Sequence, residues 1–368
     1  MYNIMWLILT TWRIWNLVRK LLCILAAMLI AVTPGTVRAE GLTFEPVIEY
    51  EGVTYKARAD RSLDTVLLIG YDHKDNGELI KNLEGFNRGG QSDFLLLLVI
   101  DHEARKIRML QMERDTITPV KTYSQKGSYY GTRRMQICLS HAYGDTQELN
   151  NRNAVWAVEN LLGIAGDNDG AQIEMYLAMD ITGIDRLNDV LGGVTVPIND
   201  DFSYYDETMV QGTTMTLNGA QAQIYCRQRY YIGDQSNKSR MARQHVYMEA
   251  AIQQLRSRLK ADANYPVKLL NGMGVAFDKT RENSNAFDFS AGSVRGTPVT
   301  NTPTHYLMTN SSLSAITAMM IRAVNYEVGE VETLPGTYRI GIDGHMEFIM
   351  EKNAGFKWVL DALYKPAD

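Results

Sequence analysis

Between residues 227 and 243 lie Arg227, Arg229, Lys238, Arg240 and Arg243, against the single acid Asp234. A guanidinium is a planar fork of donors that matches phosphate or carboxylate oxygens two at a time. Tyr225–Arg229 reads as extended, so Arg227 and Arg229, two residues apart, project to the same side. A long helix reads from about Ser239 to Leu259, with Arg240 and Gln244 on one face and Arg243 beside Gln244. Converging guanidiniums repel one another unless a polyanion neutralises them. The plainer alternative is a solvated basic face with scattered acidic partners.

Two carboxylates complement this island. Asp72 follows Gly70-Tyr71 at the end of an apolar run, and Asp93 begins a second run after Gly89-Gly90-Gln91-Ser92. Carboxylates at strand ends beside glycines are where open α/β sheets place ligand sites. Two carboxylates plus phosphate oxygens suit Mg²⁺, which takes few protein ligands and keeps some water. The alternative is a pair of strand-end turn formers. A third group, Met112-Glu113-Arg114-Asp115-Thr116, puts Arg114 near Asp93 if the two strands flanking the polar turn at 101–106 pair. If they do not, it is a surface ion pair of little worth. His73, His102 and His141 have no metal-ligand spacing, which argues against a zinc site, and His245 reads as a core residue. There is no G-x-S-x-G and no P-loop.

The elements that must hold these groups alternate. Thr65–Tyr71, Asp93–Ile100, Lys106–Met112, Ile173–Met179, Val194–Ile198 and Thr213–Leu217 read as strands. Helices are expected over 152–162, after the N-cap Asp180, after the N-cap Asn218, over 311–325 and over 352–364. The long helix carries the stripe Met241, His245, Met248, Ile252, Leu255 and Leu259. This is a layered α/β/α domain around a central mixed β-sheet, of about 200 residues. Residues 288–304, rich in Gly, Ser, Thr and Pro, read as a loop.

The chain has 368 residues and a net charge of −5. Its 45 % hydrophobic and 21 % charged content excludes a disordered, collagen-like or disulfide-scaffold protein. The first 39 residues hold Arg13, Arg19, Lys20, Arg38 and no acid, which leaves −9 on the rest. A body this acidic argues against nucleic acid as a partner. The apolar run 21–32 suits a signal-peptide core and is short for a membrane span, with Ala39 a plausible cleavage point. The preceding segment is also apolar and holds Trp6, Trp12 and Trp15, residues typical of a membrane interface. The leader therefore either exports the chain or anchors it, and either way the acidic body lies outside the membrane. Cys138 and Cys226 are either a pair or two separate core residues. The expected division is a leader or anchor (1–39), a stalk (40–61), a catalytic domain (62–260) and a C-terminal extension (261–368).

In order, the chain reads Gly70-Tyr71-Asp72, Ser92-Asp93, Arg114-Asp115-Thr116, His141-Ala142-Tyr143-Gly144, Leu191 to Val196, Leu217 to Ala222, Arg227-Gln228-Arg229, Gly233-Asp234 and Arg240-Met241-Ala242-Arg243-Gln244. This series, over about residues 62–258, resembles the LytR-CpsA-Psr family. Members are bacterial envelope enzymes with an N-terminal anchor and an extracytoplasmic domain. They join a glycopolymer carried on polyprenyl pyrophosphate to peptidoglycan through a phosphodiester, with the lipid in an apolar tunnel under the sheet. The resemblance implies Mg²⁺ on Asp72 and Asp93. It implies a pyrophosphate clamp of Arg114, Arg227, Arg229 and Arg240, with Arg243 and Gln244 nearby. Asp93, Arg114 and Arg229 stand as the catalytic set, and either Asp93 or Asp72 takes the acceptor's proton. Two positions depart from the pattern. Gln91 stands where many members have Arg, with Arg88 three residues earlier, and Cys138-Leu139-Ser140 stands where many have Lys-Ile-Asn or Lys-Leu-Asn. Arg133 or Arg134 would supply the missing charge. If neither does, the expectation shifts to a polyprenyl-phosphate-binding envelope protein without turnover.

Overall fold

The computed structural model describes residues 47–58, 63–72, 90–124, 128–144, 146–164, 173–180, 183–278 and 306–367. The expected leader and the 288–304 loop lie outside the described residues. The architecture is a mixed sheet covered by helices, as the alternation of runs implies. Its strands begin with the outlying hairpin β1 (Val47–Tyr50) and β2 (Val53–Ala57), followed by β3 (Leu63–Asp72), β4 (Gln91–Asp101) and β5 (Lys106–Met112). β6 (Ile117–Tyr123) and β7 (Tyr129–Gln136) form a second hairpin. β8 (Met175–Asp180) lies parallel to β3, and β4 runs antiparallel to both β3 and β5. β9 (Val194–Pro197) pairs with β10 (Thr214–Leu217). The central sheet is completed by β11 (Val275–Phe277) and β12 (Leu307–Thr309) beyond β8, and by β13 (Glu327–Thr333) beyond β5.

Strand alternation sorts the apolar runs onto two faces. Leu67, Ile69, Leu95, Leu97, Val99 and Leu110 turn to one face and are buried there. Helices α1 (Gln147–Leu162) and α7 (Ala354–Leu363) close that face with Val158, Leu162, Val359 and Leu363. On the opposite face Val66 and Ile100 pack with Ile316 and Met319 of α6 (Leu313–Ala323), and with Leu270 of α5 (Tyr265–Met273). There Leu68, Leu98, Met175 and Leu177 stay only half-buried. A separate apolar cluster joins β9 and β10 to α2 (Gly183–Leu191), α3 (Gly219–Arg227) and α4 (Asn237–Ala261).

Three sequence expectations change. The stretch 40–61 does not behave as a stalk where it is described: β2 pairs with both β1 and β16 (Tyr364–Pro366). The chain beyond 260 packs on the main domain and also completes it: β11, β12 and β13 form both edges of the central sheet and α7 covers its buried face, so the expected boundary at 260 falls inside the fold. Finally, Tyr225–Arg227 is helical rather than extended. The reciprocal capping box of Asn218 and Gln221 starts α3 firmly, and Tyr225 and Cys226 complete its buried side. The β-forming character of Ile224-Tyr225 is overridden by that packing. Arg227 therefore ends a helix while Arg229 lies beyond its cap, and the two do not share an extended face.

Candidate active site

The register of β4 and β5 builds the centre of the site. Leu95 lies opposite Met112, and the same two-residue step sets Asp93 opposite Arg114. Arg114 Nη1 donates to Asp93 Oδ1 at 2.5 Å and Nη2 to Gln91 Oε1 at 2.7 Å. The same Nη2 lies 3.5 Å from Cys138 Sγ, and Nε lies 3.3 Å from Asp115 Oδ1. From the first turn of α4, the buried Arg240 brings Nη1 to 3.5 Å from Asp93 Oδ2. Asp93 thus lies between two guanidiniums. Asp72 enters from the end of β3, its Oδ1 accepting the Gln91 backbone N–H at 3.1 Å. Gly90, with φ of 75°, turns the chain into β4, and His141 reaches its carbonyl with Nδ1 at 3.4 Å. The buried His141 ring stacks on Tyr71 at 4.4 Å, so it props the ends of β3 and β4.

The charges are coupled. Burial pushes the Asp93 carboxyl above its ordinary range, Arg114 and Arg240 pull it back, Asp72 pushes it up and Arg229 pulls it down. Asp72 and Arg229 therefore belong to the same electrostatic unit as Asp93. Burial pulls Arg240 below its ordinary value, an effect that Asp93 opposes. Burial would also lower Arg114, but Cys138, Asp93 and Asp115 outweigh it and raise the group. Burial pushes the Cys138 thiol up to about 12.

Among the described residues the ion pairs of Asp93 are with Arg114 and Arg240. Arg243 is turned elsewhere: Nε donates to the Tyr225 carbonyl at 3.2 Å, Nη2 to the Gln228 carbonyl, and Nη1 lies 3.1 Å from Asp200 Oδ2. Its expected place in an anion clamp is replaced by a fastening role. Gln244 Nε2 donates to the Cys226 carbonyl at 3.1 Å, while its buried Oε1 has no hydrogen-bond partner among the described residues. Arg133 and Arg134 are exposed on β7; Arg134 donates to the Ile117 carbonyl, and Arg133 acts on Tyr143. Cys138 and Cys226 are both buried and free, so they do not pair.

Some partners were not foreseeable. Gln91 and Cys138 stood out only as departures from a pattern, yet both touch Arg114. Tyr338, on the hairpin of β14 (Gly336–Ile340) and β15 (Met346–Met350), donates to Glu113 Oε2 at 2.6 Å. The Phe348 amide holds that hairpin to the Asp115 carbonyl at 2.8 Å. No local signal joins residues so far apart in sequence.

The LytR_cpsA_psr family profile matches residues 45–286. Biofilm regulatory protein A of Streptococcus mutans is 28 % identical over 182 residues, 47 % of this chain and 39 % of its own length. A Halalkalibacterium halodurans protein named polyisoprenyl-teichoic acid–peptidoglycan teichoic acid transferase TagU is 26 % identical over 190 residues, 52 % of each chain. The chain thus spans about half or less of the length of these curated relatives. Among solved structures, Bacillus subtilis TagV aligns over 84 % of this chain and 100 % of its own, with TM-score 0.56 and 18 % identity. A Streptococcus agalactiae protein aligns over 85 % and 93 %, with TM-score 0.57 and 19 % identity. These two structures establish the shared fold. The profile match covers well over half of the residues and includes the Asp93–Arg114–Arg240 centre, and the chain belongs to the LytR_cpsA_psr family.

Proposed function

We propose that the chain is an extracytoplasmic phosphotransferase, exported or anchored by its leader, that joins a polyprenyl-pyrophosphate-linked glycopolymer to peptidoglycan. The observation that carries this reading is the Asp93 carboxylate held between Arg114 and Arg240, with Asp72 and Arg229 in electrostatic range. The printed name of TagU, a transferase between a polyisoprenyl-teichoic acid and peptidoglycan, supports the reaction class.

In this reading the acceptor hydroxyl attacks the glycan-proximal phosphorus. A P–O bond to the acceptor forms, the bond to the bridging oxygen breaks, and polyprenyl phosphate leaves. Asp93 or Asp72 receives the hydroxyl proton. Arg114, Arg229 and Arg240 neutralise charge on the phosphate oxygens, the main demand of phosphoryl transfer. Asp72 and Asp93 are carboxylates at the neighbouring ends of β3 and β4, oxygen donors of the type a divalent cation takes. Mg²⁺ held there would neutralise pyrophosphate charge.

Three apolar side chains support a lipid path in this reading. Phe94, Met248 and Ile252 are half-buried yet belong to none of the three packed apolar clusters. His245, one turn before Met248, reaches Gln111, which strand alternation puts on the sheet face opposite Leu110, so α4 turns Met248 and Ile252 toward that face. A polyprenyl chain would complete the apolar packing between α4 and the half-buried Leu68, Leu98 and Leu177. Among the described residues no helix is long and apolar enough to cross a membrane. Mass spectrometry of detergent-extracted full chain tests the reading: co-purified polyprenyl phosphate is expected, and lipid-free protein that does not take up added polyprenyl phosphate contradicts it.

A second reading, binding without turnover, is favoured by one observation. Uncharged Gln91 and Cys138 fill the space around Arg114, so the centre holds fewer cations than the family pattern offers. Product formation separates the two.

A further inference from the structure

We propose that an exposed tyrosine platform beside Arg229 binds a neutral sugar ring of the substrate glycan. The inference rests on the transferase reading above and adds a saccharide subsite to it.

Two loops build the platform. Residues 198–213, between β9 and β10, carry Tyr204 and Tyr205, and residues 228–236, between α3 and α4, carry Tyr230 and Tyr231. The Tyr204 and Tyr231 rings stack at 4.2 Å and 28°, and Tyr205 meets Tyr204 edge-on at 5.0 Å. Tyr204 is 65 % exposed and Tyr231 64 %, so each ring keeps an open face despite the stack. Tyr231 has φ of 58°, in the left-handed region that disfavours a bulky side chain. A sequence serving only the turn would place Gly or Asn there, and strain retained at an exposed aromatic points to a use for the ring.

The platform is fastened from beneath. Buried Arg243 joins Asp200 of the first loop to the Gln228 carbonyl of the second, and lies 5.7 Å from the buried Phe202 ring. This explains a buried arginine that does not serve the anion site. Continuity with the site runs through Arg229, which acts on Asp93 and also donates from Nη2 to Tyr230 Oη at 3.1 Å, with its guanidinium 5.0 Å from the ring.

The chemistry selects the ligand. The face of a pyranose presents C–H groups with partial positive charge, which pack on the negative face of an aromatic ring. The two loops carry Asp200, Asp201, Asp206, Glu207 and Asp234, and Arg229 is their one cation. That balance repels phosphate- or uronate-bearing rings from the tyrosines while Arg229 draws the phosphate to the other side. The occupant is therefore an uncharged or N-acetylated sugar next to the phosphate being transferred.

The test is saturation-transfer NMR and calorimetry on the full chain, without lipid donor, using the N-acetylglucosamine tetramer and tetragalacturonate. The tetramer is expected to bind with its ring C–H protons saturated. Tyr204→Ala and Tyr231→Gly should each weaken it at least tenfold, the second while relieving the backbone strain. Tyr204→Phe should stay within about threefold because the stack survives. Failure of the transferase reading shows separately, as wild type that binds the tetramer yet forms no transfer product. Absence of tetramer binding, equal binding by Tyr204→Ala, or preference for tetragalacturonate overturns the proposal.

Discussion

Arg114 and Asp93 face each other across β4 and β5 at 2.5 Å because the hairpin register carries two residues beyond the Leu95–Met112 pair. Pairing that serves the core also sets the charged centre. Where Asp93 rather than Asp72 takes the proton, Asp93→Asn should preserve the fold and donor binding while transfer falls by roughly 10²–10⁴, the usual worth of a positioned proton acceptor. Arg114→Ala should lose donor affinity as well. Separate binding and turnover measurements on the two variants check this split.

Arg243 and Arg240 lie in one helix turn of α4 and are expected to fail differently. Arg243→Lys cannot hold the Tyr225 and Gln228 carbonyls and Asp200 together. Leaving those groups unsatisfied should cost about 2–4 kcal/mol of unfolding free energy. Arg240→Lys keeps a cation near Asp93 and should weaken donor binding with little change in denaturation midpoint. Urea titrations beside donor-binding curves distinguish the two.

His245 gives the stability a pH dependence of defined sign. Burial holds the imidazole below its ordinary value, with Glu249 opposing, so the folded chain binds fewer protons than the unfolded chain in that window. Stability rises with pH between the folded pKa and the unfolded value of about 6.5, and is lost as pH falls through that window. Wild type should lose more stability than His245→Gln between about pH 7.5 and about pH 5.5, either side of the imidazole's ordinary value. Equal losses would contradict the assignment.

Burial raises the thiols of Cys138 and Cys226, the first to about 12, and keeps both from solvent. Native protein treated with iodoacetamide at neutral pH should remain unmodified at both positions, and urea-unfolded protein should react at both. Peptide mapping reads the result.

Leu363, from the last helix, is buried against the main sheet. Leu363→Ala should destabilise the chain by about 2–5 kcal/mol. A chain ending at residue 286, where the family match stops, should lack a cooperative unfolding transition. A stable, cooperative truncation would contradict an integral role for the C-terminal strands.

The central strands were readable because long apolar runs such as Asp93–Ile100 leave little choice of state, and the Asp93–Arg114 pairing followed from hairpin arithmetic. Arg227 and Arg243 were misplaced for a shared reason. Residue type shows that a guanidinium is present, but its direction depends on the capping of α3 and on the loop that presents Asp200. The C-terminal segments were undervalued because the parallel pairing of β13 with β5 joins Ile107 to Val328 without local trace. Tyr338 on Glu113 was hidden for the same reason.

Transfer of a phosphoryl-linked glycan by this charged centre can be measured directly. Purified full chain is incubated with Mg²⁺, a polyprenyl-pyrophosphate-linked oligosaccharide and a peptidoglycan fragment. Released polyprenyl phosphate and the new phosphodiester are followed by mass spectrometry. Wild type should form both products in equal amounts, and Asp93→Ala and Arg229→Ala should form neither at a measurable rate. Undiminished product with both variants, or none from a wild type that binds the donor, would contradict it.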